Sequence, residues 1–214
     1  MKTQIVSLTL FSLSLATITA AEQETVDRCA IVVREFRQMP ERGIPNEVLR
    51  NARGLAIISV IKAGFIFSGK AGQGVVVART DGRWSGPSFI ATGGAGWGAQ
   101  IGAQVTDYVF VLNNDAAVRA FSLGGNITLG ADASIAAGPV GRTAAAGITR
   151  AAAIYAYSRS KGLFAGVSLE GAVLVTQSGS NARYYGHPIK ARDILFGHVP
   201  PPPGSASLHN ALGR

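Results

Sequence analysis

The stretch LAIISVIKAGFIFSGKAGQGVVVART, residues 55–80, decides the fold class. It contains two runs, LAIISVIKAGFIF and GVVVART, that are rich in β-branched and aromatic residues and are typical of strands. Glycines lie inside the first run at Gly64 and between the runs at Gly69 and Gly72. Because glycine within a strand is typical of a bulge or of tight curvature, we expect these strands to belong to a curved sheet.

Similar runs recur in PSFIAT, AQIGAQVTDYVFVLN, AIYAYSRS and LFAGVSLEGAVLVT, and turn-forming sequences such as RTDGRW and LNND separate them. Helical patterns are shorter and occur in IPNEVLRNARG, DAAVRAFSLGG and IKARDILFG. Residues 131–148 are rich in alanine and glycine and suit strand or helix; we favour strand for the first half. The predicted fold class is therefore α+β, a strongly curved, mainly antiparallel sheet or partial barrel with a few short helices.

The first 21 residues, MKTQIVSLTLFSLSLATITAA, have the layout of an export signal. A lysine precedes an apolar stretch from Ile5 to about Leu15, and small residues end at Ala20 and Ala21. We expect cleavage there, and hence a protein that is exported, periplasmic or secreted, and peripheral to the membrane. The apolar part is too short to span a bilayer, and a buried N-terminal helix is the alternative.

Residues 22–43 are predicted to form an amphipathic helix with Val26, Ala30 and Val33 on one stripe. Such a helix either packs on its own domain or lies on a membrane. Cys29 lies beside the stripe and is either a small apolar residue or a reactive thiol. Since the chain has one cysteine, no internal disulfide forms and folding rests on packing.

The charge is basic and unevenly distributed. The formal net charge is +8, residues 48–80 contain five cations and no acid, and residues 133–192 contain seven cations and one acid, Glu170. Such a distribution favours an anionic partner, namely lipid headgroups, nucleic acid or an acidic polymer. The alternative is a solvated basic surface that confers solubility.

Motifs that resemble catalytic or cofactor sites fail on their details. GFIFSGKA (64–71) nearly matches a phosphate-binding loop, but Ala71 replaces the hydroxyl residue that would hold magnesium. GAGWGA (94–99) matches a loose dinucleotide pattern, but strand-like residues follow where a helix is required. The three histidines are far apart and lack zinc-ligand spacing. Since no nucleophile, base and oxyanion donors stand together, we expect no enzyme, no metal site and no cofactor.

The chain ends in VPPPPGSASLHNALGR, and residues 200–214 are predicted to be a proline-rich tail. The tail is either a polyproline II spacer or a docking site for a proline-binding module. Upstream, YSRSKG is predicted to turn at residues 160–162 between two strands. Asp107 and Glu170 lie in strand-like runs, where they would pair with arginines or face solvent.

Four segments together carry a family resemblance: IPNEVLRNARGLAIISVIKAGFIFSGKAGQGVVVART, DGRWSGPSFIATGGAGWGAQIGAQVTDYVFVLN, AAGPVGR and YSRSKGLFAGVSLEGAVL. In this order they closely resemble the SYLF domain of phosphoinositide-binding SH3 adaptors, yeast actin-patch proteins and single-domain exported bacterial proteins. We assign residues 44–199 to this domain. The resemblance implies a lipid-binding domain, with actin-filament binding in the yeast members.

We therefore predict a non-enzymatic module that docks on anionic phospholipid or phosphoinositide-type headgroups through a basic surface. The alternative is an envelope structural or protein-interaction module, with actin-like filament binding as in the yeast family members. The expected partners are anionic lipids or a membrane surface and a possible protein, without nucleic acid. Arg159 and Lys161 could also merely keep a hairpin end soluble. The candidate lipid-binding residues are Lys62, Lys70, Arg79, Arg159 and Lys161.

Overall fold

A computed structural model describes residues 2–39, 43–129, 131–132, 134–139, 152–161, 172–197 and 199–213, with side chains from residue 20 onward except at 64–68, 95–102 and 161. The helices in these ranges are α1 (Lys2–Gln38), α2 (Asn46–Asn51), α3 (Asp115–Ser122), α4 (Ser178–Tyr185), α5 (Ala191–Leu195) and α6 (Ala206–Leu212), with a 3-10 turn at Pro203–Ser205. The strands are β1 (Gly54–Thr80), β2 (Arg83–Trp84), β3 (Ser88–Leu112), β4 (Asn126–Thr128), β5 (Ile135–Ala137), β6 (Ile154–Lys161) and β7 (Val173–Thr176).

The sheet is built around one long antiparallel pair, β1 and β3. Their register runs from Gly54 opposite Leu112 to Val76 opposite Ser88, with an irregularity between Phe65 and Phe67. The second half of β3 pairs with β6, and β6 also pairs in parallel with β5. The first half of β3 pairs with β7, and β7 also pairs with β4. The two strand-like runs of residues 55–80 are therefore one strand, and PSFIAT and AQIGAQVTDYVFVLN together form β3.

The long strand β1 curls until its two ends lie side by side. The amide of Arg79 donates to the carbonyl of Arg53 over 2.7 Å. Further along, Gly74 lies against the backbone of Ile57, where a Cβ atom would collide with the carbonyl oxygen. Glycine permits this close approach because it has no side chain. The α+β class and the strong curvature are thus confirmed, and the sheet forms a half-barrel.

The curled sheet has an apolar core on each face, as the alternation of side chains along a strand requires. On one face, Ile57 and Val109 pack with Phe36 of α1. On the other face, Ile58 and Phe110 pack with residues of α3 and α5. We refer to these as the α1 face and the α3 face. The amphipathic helix predicted from Val26, Ala30 and Val33 does pack on its own domain, since all three are buried in the α1-face core.

Several predicted local elements are present. The DG pair in RTDGRW forms the two-residue link between β1 and β2, with φ of 52° at Asp81 and 75° at Gly82. Helices α3 and α5 form where DAAVRAFSLGG and IKARDILFG predict them. Asn114 caps α3 by accepting a hydrogen bond from the amide of Ala117 over 2.8 Å. The alanine-rich segment contributes β5 in its first half, and residues 140–151 lie outside the described ranges.

The C-terminal residues differ from the expected polar spacer. Pro202 has polyproline II angles, φ −60° and ψ 150°, as predicted. The following helix α6, however, is amphipathic and packs on α1, so that Leu208, Ala211 and Leu212 are buried in the α1-face core. Arg37 of α1 fastens this contact by donating to the carbonyl of Ala211 over 2.7 Å.

Helix α4 was not predicted from the sequence. It begins after β7 and ends at Gly186, which has a φ of 78°. The fully buried Asn181 holds it against β3, because its side-chain oxygen accepts from the amide of Phe89 over 2.7 Å. Gly186 is the signal that could have indicated the helix, since glycine in the left-handed region commonly follows the last helical residue.

Candidate functional site

Arg159 of β6 is the centre of an ion-pair network beneath α1. Its guanidinium donates to Asp107 of β3 over 3.1 Å and also to Glu35 of α1. The side chain of Arg159 is 19% exposed and that of Asp107 is 9% exposed. Ser59 of β1 donates to the same aspartate over 2.6 Å. The network therefore ties three adjacent strands to the long helix.

The network also sets the ionisation of Arg159. Burial by itself lowers the pKa of an arginine, but the hydrogen bonds and opposite charges of Glu35 and Asp107 outweigh it, so the pKa of Arg159 is raised. Asp107 thus pairs with an arginine, as the sequence predicted. Because two carboxylates share its guanidinium, Arg159 contributes little to a basic surface in this arrangement.

The five predicted lipid-binding residues do not form one group. Alternation along the strands places Lys62 and Lys70 on the α3 face, and places Arg79 and Arg159 on the α1 face. The side chain of Lys70 extends over Gly94 on the neighbouring strand. The side chain of Lys161 lies outside the described ones, although its backbone in β6 pairs with Val105 of β3.

Arg79 lies one residue before the end of β1, whereas the Arg159 network lies within the ladder of β1, β3 and β6. Its guanidinium carbon is 4.4 Å from the centroid of the Trp84 ring, in a cation–π arrangement. One of its terminal nitrogens donates to the carbonyl of Arg50 over 2.7 Å. Burial lowers the pKa of Arg79, yet an arginine remains cationic at neutral pH. The side chain is therefore held in one position by the tryptophan and by α2.

Three further arginines lie near Arg79 along the backbone, at the same end of the sheet. Arg50 lies in the last turn of α2, and the carbonyl of Arg53 accepts the hydrogen bond from the Arg79 amide. Arg83 of β2 pairs with Thr80, so its side chain lies on the opposite face of the sheet from Arg79; all three are exposed. We call Arg50, Arg53, Arg79 and Arg83 the arginine cluster. Arg50 and Arg53 lie in the basic stretch 48–80 but were not among the predicted lipid-binding residues. Only the curling of β1 brings them to Arg79.

Two carboxylates lie near the arginine cluster. The carboxylate of Asp115 in α3 is 3.7 Å from the guanidinium of Arg53. The Asp115 side chain is 62% exposed and the Arg53 side chain is 60% exposed. Asp81 lies exposed in the turn before β2. An exposed ion pair contributes between about 0 and 1 kcal/mol, so these acids reduce the local positive charge without fixing the arginines.

A groove runs between residues 21–28 of α1 and the sheet. Its volume is about 430 Å³, and Ile61 on its wall is 54% exposed. Small residues form much of the lining, and the charged pair on its rim, Arg28 with Glu24, is separated by 3.8 Å. The groove can accommodate an apolar group. The lining comprises Ala21, Glu24, Thr25, Arg28, Ser59, Ile61, Ala71, Gly72, Gln73, Ala91 and Thr92.

Residues that could perform chemistry are scattered or buried. Within the described ranges, no three histidine, cysteine, aspartate or glutamate side chains meet in a way that could hold a metal ion. Cys29 is 1% exposed, and burial raises the pKa of its thiol to about 12. Of the two alternatives, Cys29 is therefore a small apolar residue and not a reactive thiol. Within the same ranges, no helix is long and apolar enough to cross a membrane.

Comparison with known proteins identifies the family. A family model described as Ysc84, "Las17-binding protein actin regulator", matches residues 93–214. This is more than half of the 214-residue chain. The chain belongs to the Ysc84 family. The resemblance to the SYLF domain is thereby confirmed, since this family contains that domain.

Curated members of the Ysc84 family are similar over most of this chain. LAS seventeen-binding protein 3 of Saccharomyces cerevisiae is 51% identical over 174 residues, which are 79% of this chain and 38% of that protein. SH3 domain-containing YSC84-like protein 1 of Homo sapiens is 45% identical over 193 residues, 86% of this chain and 56% of that protein. An SH3 domain-containing protein of Schizosaccharomyces pombe is 51% identical over 174 residues, 79% of this chain and 40% of that protein. The chain thus spans about two fifths to just over half of these relatives.

The prediction of an exported, periplasmic or secreted protein is wrong. The Ysc84 relatives that match most of the chain come from yeasts and human and are named for Las17 binding or for an SH3 domain. Helix α1 also continues from Lys2 to Gln38, across the expected cleavage position at Ala20 and Ala21. The error has a physical reason: a lysine, a short apolar run and small residues also suit the beginning of a long helix.

The names of the Ysc84 family and of these relatives describe binding proteins and adaptors rather than enzymes. The family description supports a role in actin-related binding.

Proposed function

We propose that this chain is a non-catalytic binding module of the actin-regulating class that docks on anionic phospholipid headgroups through the arginine cluster. The observation that carries the proposal is the gathering of Arg50, Arg53, Arg79 and Arg83 at one end of the half-barrel. Arginine suits this task because its planar fork of N–H donors matches the oxygens of a phosphate.

The position of the cluster supports attachment to an extended surface. Its members come from α2, from the residue before β1, from the end of β1, and from β2, so they lie around a sheet end instead of lining a deep cleft. Trp84 and the carbonyl of Arg50 hold the guanidinium of Arg79. A cation that is already held in place loses less conformational freedom on binding than a mobile one.

The expected strength of attachment follows from the number of cations. Each arginine near an anionic membrane contributes about 1 kcal/mol, so four contribute roughly 4 kcal/mol in favourable conditions. This corresponds to weak, reversible attachment that salt screens. Lys62 and Lys70 lie within β1, away from its ends and from the arginine cluster. Arg159 and Lys161 remain predicted lipid-binding residues, with Arg159 shared by two carboxylates in this arrangement.

The proposal is tested by sedimentation with vesicles of phosphatidylserine and phosphatidylcholine, against vesicles of phosphatidylcholine alone. We expect binding to the anionic vesicles that falls several-fold when salt rises from about 50 to about 200 mM, because the Debye length shortens over this range. Double charge reversal, Arg50→Glu with Arg83→Glu, should abolish the binding. Both side chains are exposed, so the fold should persist.

The matched control reverses two exposed arginines on α1, Arg28→Glu with Arg34→Glu, which changes the net charge by the same amount. If both double variants lose binding equally, net charge and not the arginine cluster determines attachment, and the proposal fails. Equal sedimentation with both kinds of vesicle would contradict it as well.

A protein partner is the second candidate, and the family description supports it. We propose that such a partner is an acidic surface of the actin machinery, such as a filament. Cosedimentation with actin filaments that persists at high salt, in the absence of vesicle binding, would favour this function over lipid docking. The same pair of charge-reversal variants would then show whether the arginine cluster forms the contact.

A further inference from the structure

The proline segment, residues 200–203, is an exposed strap between two anchored helices. Pro200, Pro201 and Pro203 are exposed, whereas Pro202 is half-buried. The ring of each proline fixes φ, and a following proline excludes the helical region for the residue before it. Pro200, Pro201 and Pro202 are each followed by proline, and Pro202 has φ −60° and ψ 150°. The strap is therefore a short polyproline II helix.

The geometry of this helix gives the strap two different sides. Polyproline II has three residues per turn, so positions three apart lie on the same edge. Pro200 and Pro203 are three apart, and both are exposed. The inward side is formed by Pro202, which is half-buried, and the Cα atom of Pro201 lies close to Gly86. The outward edge thus displays prolines with PxxP spacing.

The C-terminal end of the strap is fixed. The carbonyl of Pro202 accepts from the amide of Ser205 over 2.9 Å and from its hydroxyl over 2.6 Å. Gln23 of α1 donates to the carbonyl of Gly204 over 3.0 Å. Helix α5, whose Ile194 and Leu195 are buried, ends five residues before the strap. The proline rings and the C-terminal anchor together restrict the conformation of the strap without a partner.

We propose that the Pro200–Pro203 edge is a docking site for an SH3-type domain, a module whose aromatic-lined groove recognises PxxP segments in the polyproline II conformation. The occupant follows from the conformation: exposed prolines three residues apart fit successive pockets between aromatic rings. Since the strap is already ordered in the folded chain, binding costs less conformational entropy than binding of a flexible proline peptide. This site lies outside the arginine cluster and is independent of the lipid-docking proposal.

The site differs from a free proline peptide in one respect that sharpens its test. Pro202, between the two outward prolines, is half-buried, so a binding groove approaches from the side that displays Pro200 and Pro203. Substitution of the two outward prolines should therefore remove binding, while the inward packing and the hydrogen bonds of Ser205 remain in place.

The experiment is calorimetric titration of the full chain with the purified SH3 domains of the human and Schizosaccharomyces pombe relatives. We expect saturable binding to at least one of them, weakened at least fivefold by Pro200→Ala with Pro203→Ala. The control is Pro188→Ala, another exposed proline, which should bind like the unmodified chain. Unchanged melting temperatures would show that both variants fold. Absence of binding to both SH3 domains, or equal binding by the double variant, would overturn the proposal.

Discussion

Arg159 donates a hydrogen bond to Asp107 across 3.1 Å, between adjacent strands and beneath the long helix α1. A residue that the sequence places in an exposed hairpin end is therefore part of the attachment between helix and sheet. This contact has consequences for stability that can be measured.

Arg159→Met should reduce the free energy of unfolding by about 3 kcal/mol, because it leaves two partly buried carboxylates without their shared cation. Urea denaturation measures the change. Arg34→Met, at an exposed position of α1, is the control and should shift stability by less than about 0.5 kcal/mol. Adding Glu35→Gln and Asp107→Asn to Arg159→Met should recover much of the loss. If Arg159→Met leaves the free energy of unfolding unchanged, the network does not fasten the helix to the sheet.

Gly74→Ala should destabilise the protein by at least about 2 kcal/mol, because the new Cβ atom would collide with the carbonyl oxygen of Ile57 and force the two ends of β1 apart. Gly69→Ala in the same strand is the matched control, since nothing lies within 4 Å of its Cβ position. Chemical denaturation of the two variants compares them directly. Equal stability would argue against the close approach of the curled strand.

Leu208→Ala should reduce stability by about 3 kcal/mol, because Leu208 is fully buried between α6 and α1. Asn210→Ala changes an exposed position of the same helix and should have little effect. Thermal unfolding followed by circular dichroism measures both. If Leu208→Ala is as stable as the control, the C-terminal helix is not part of the core.

Cys29 should resist modification by thiol reagents in the folded protein at neutral pH. Its thiol is buried and has a pKa of about 12, so both access and the thiolate fraction are low. Labelling with Ellman's reagent should be slow in buffer and complete within minutes in guanidinium chloride. Rapid, stoichiometric labelling of the native chain would instead identify a reactive thiol.

The protein should lose stability between about pH 10 and pH 12, because burial raises the pKa of Tyr108 and of Tyr184 to about 12. In this range the unfolded state releases its tyrosine protons and the folded state retains them, so stability decreases as pH rises. Below about pH 10 these tyrosines are protonated in both the folded and the unfolded state, so their full contribution to stability is present. Urea denaturation over this range should show a smaller decrease for Tyr108→Phe than for the unmodified chain.

Much of the fold could be predicted from local chemistry. The β-branched runs indicated strands, the glycines among them indicated curvature, and RTDGRW indicated a turn. These signals depend on neighbours in the chain, and the structure agrees with them. The helix of the last residues was missed because its few apolar residues, Leu208 and Leu212 among them, are too short a pattern to indicate burial by themselves.

The sequence by itself determined the α+β class, the curvature, the amphipathic N-terminal helix and the family, because each depends on residue types and on their spacing along the chain. Only the tertiary structure decided which cations share a surface. β1 brings Arg53 beside Arg79, 26 positions later in the chain, while the strand alternation sends Lys62 to the opposite face. Charge is readable in a sequence, but the convergence of charges depends on how a strand curls and on which carboxylates it meets, as Arg159 meets Asp107.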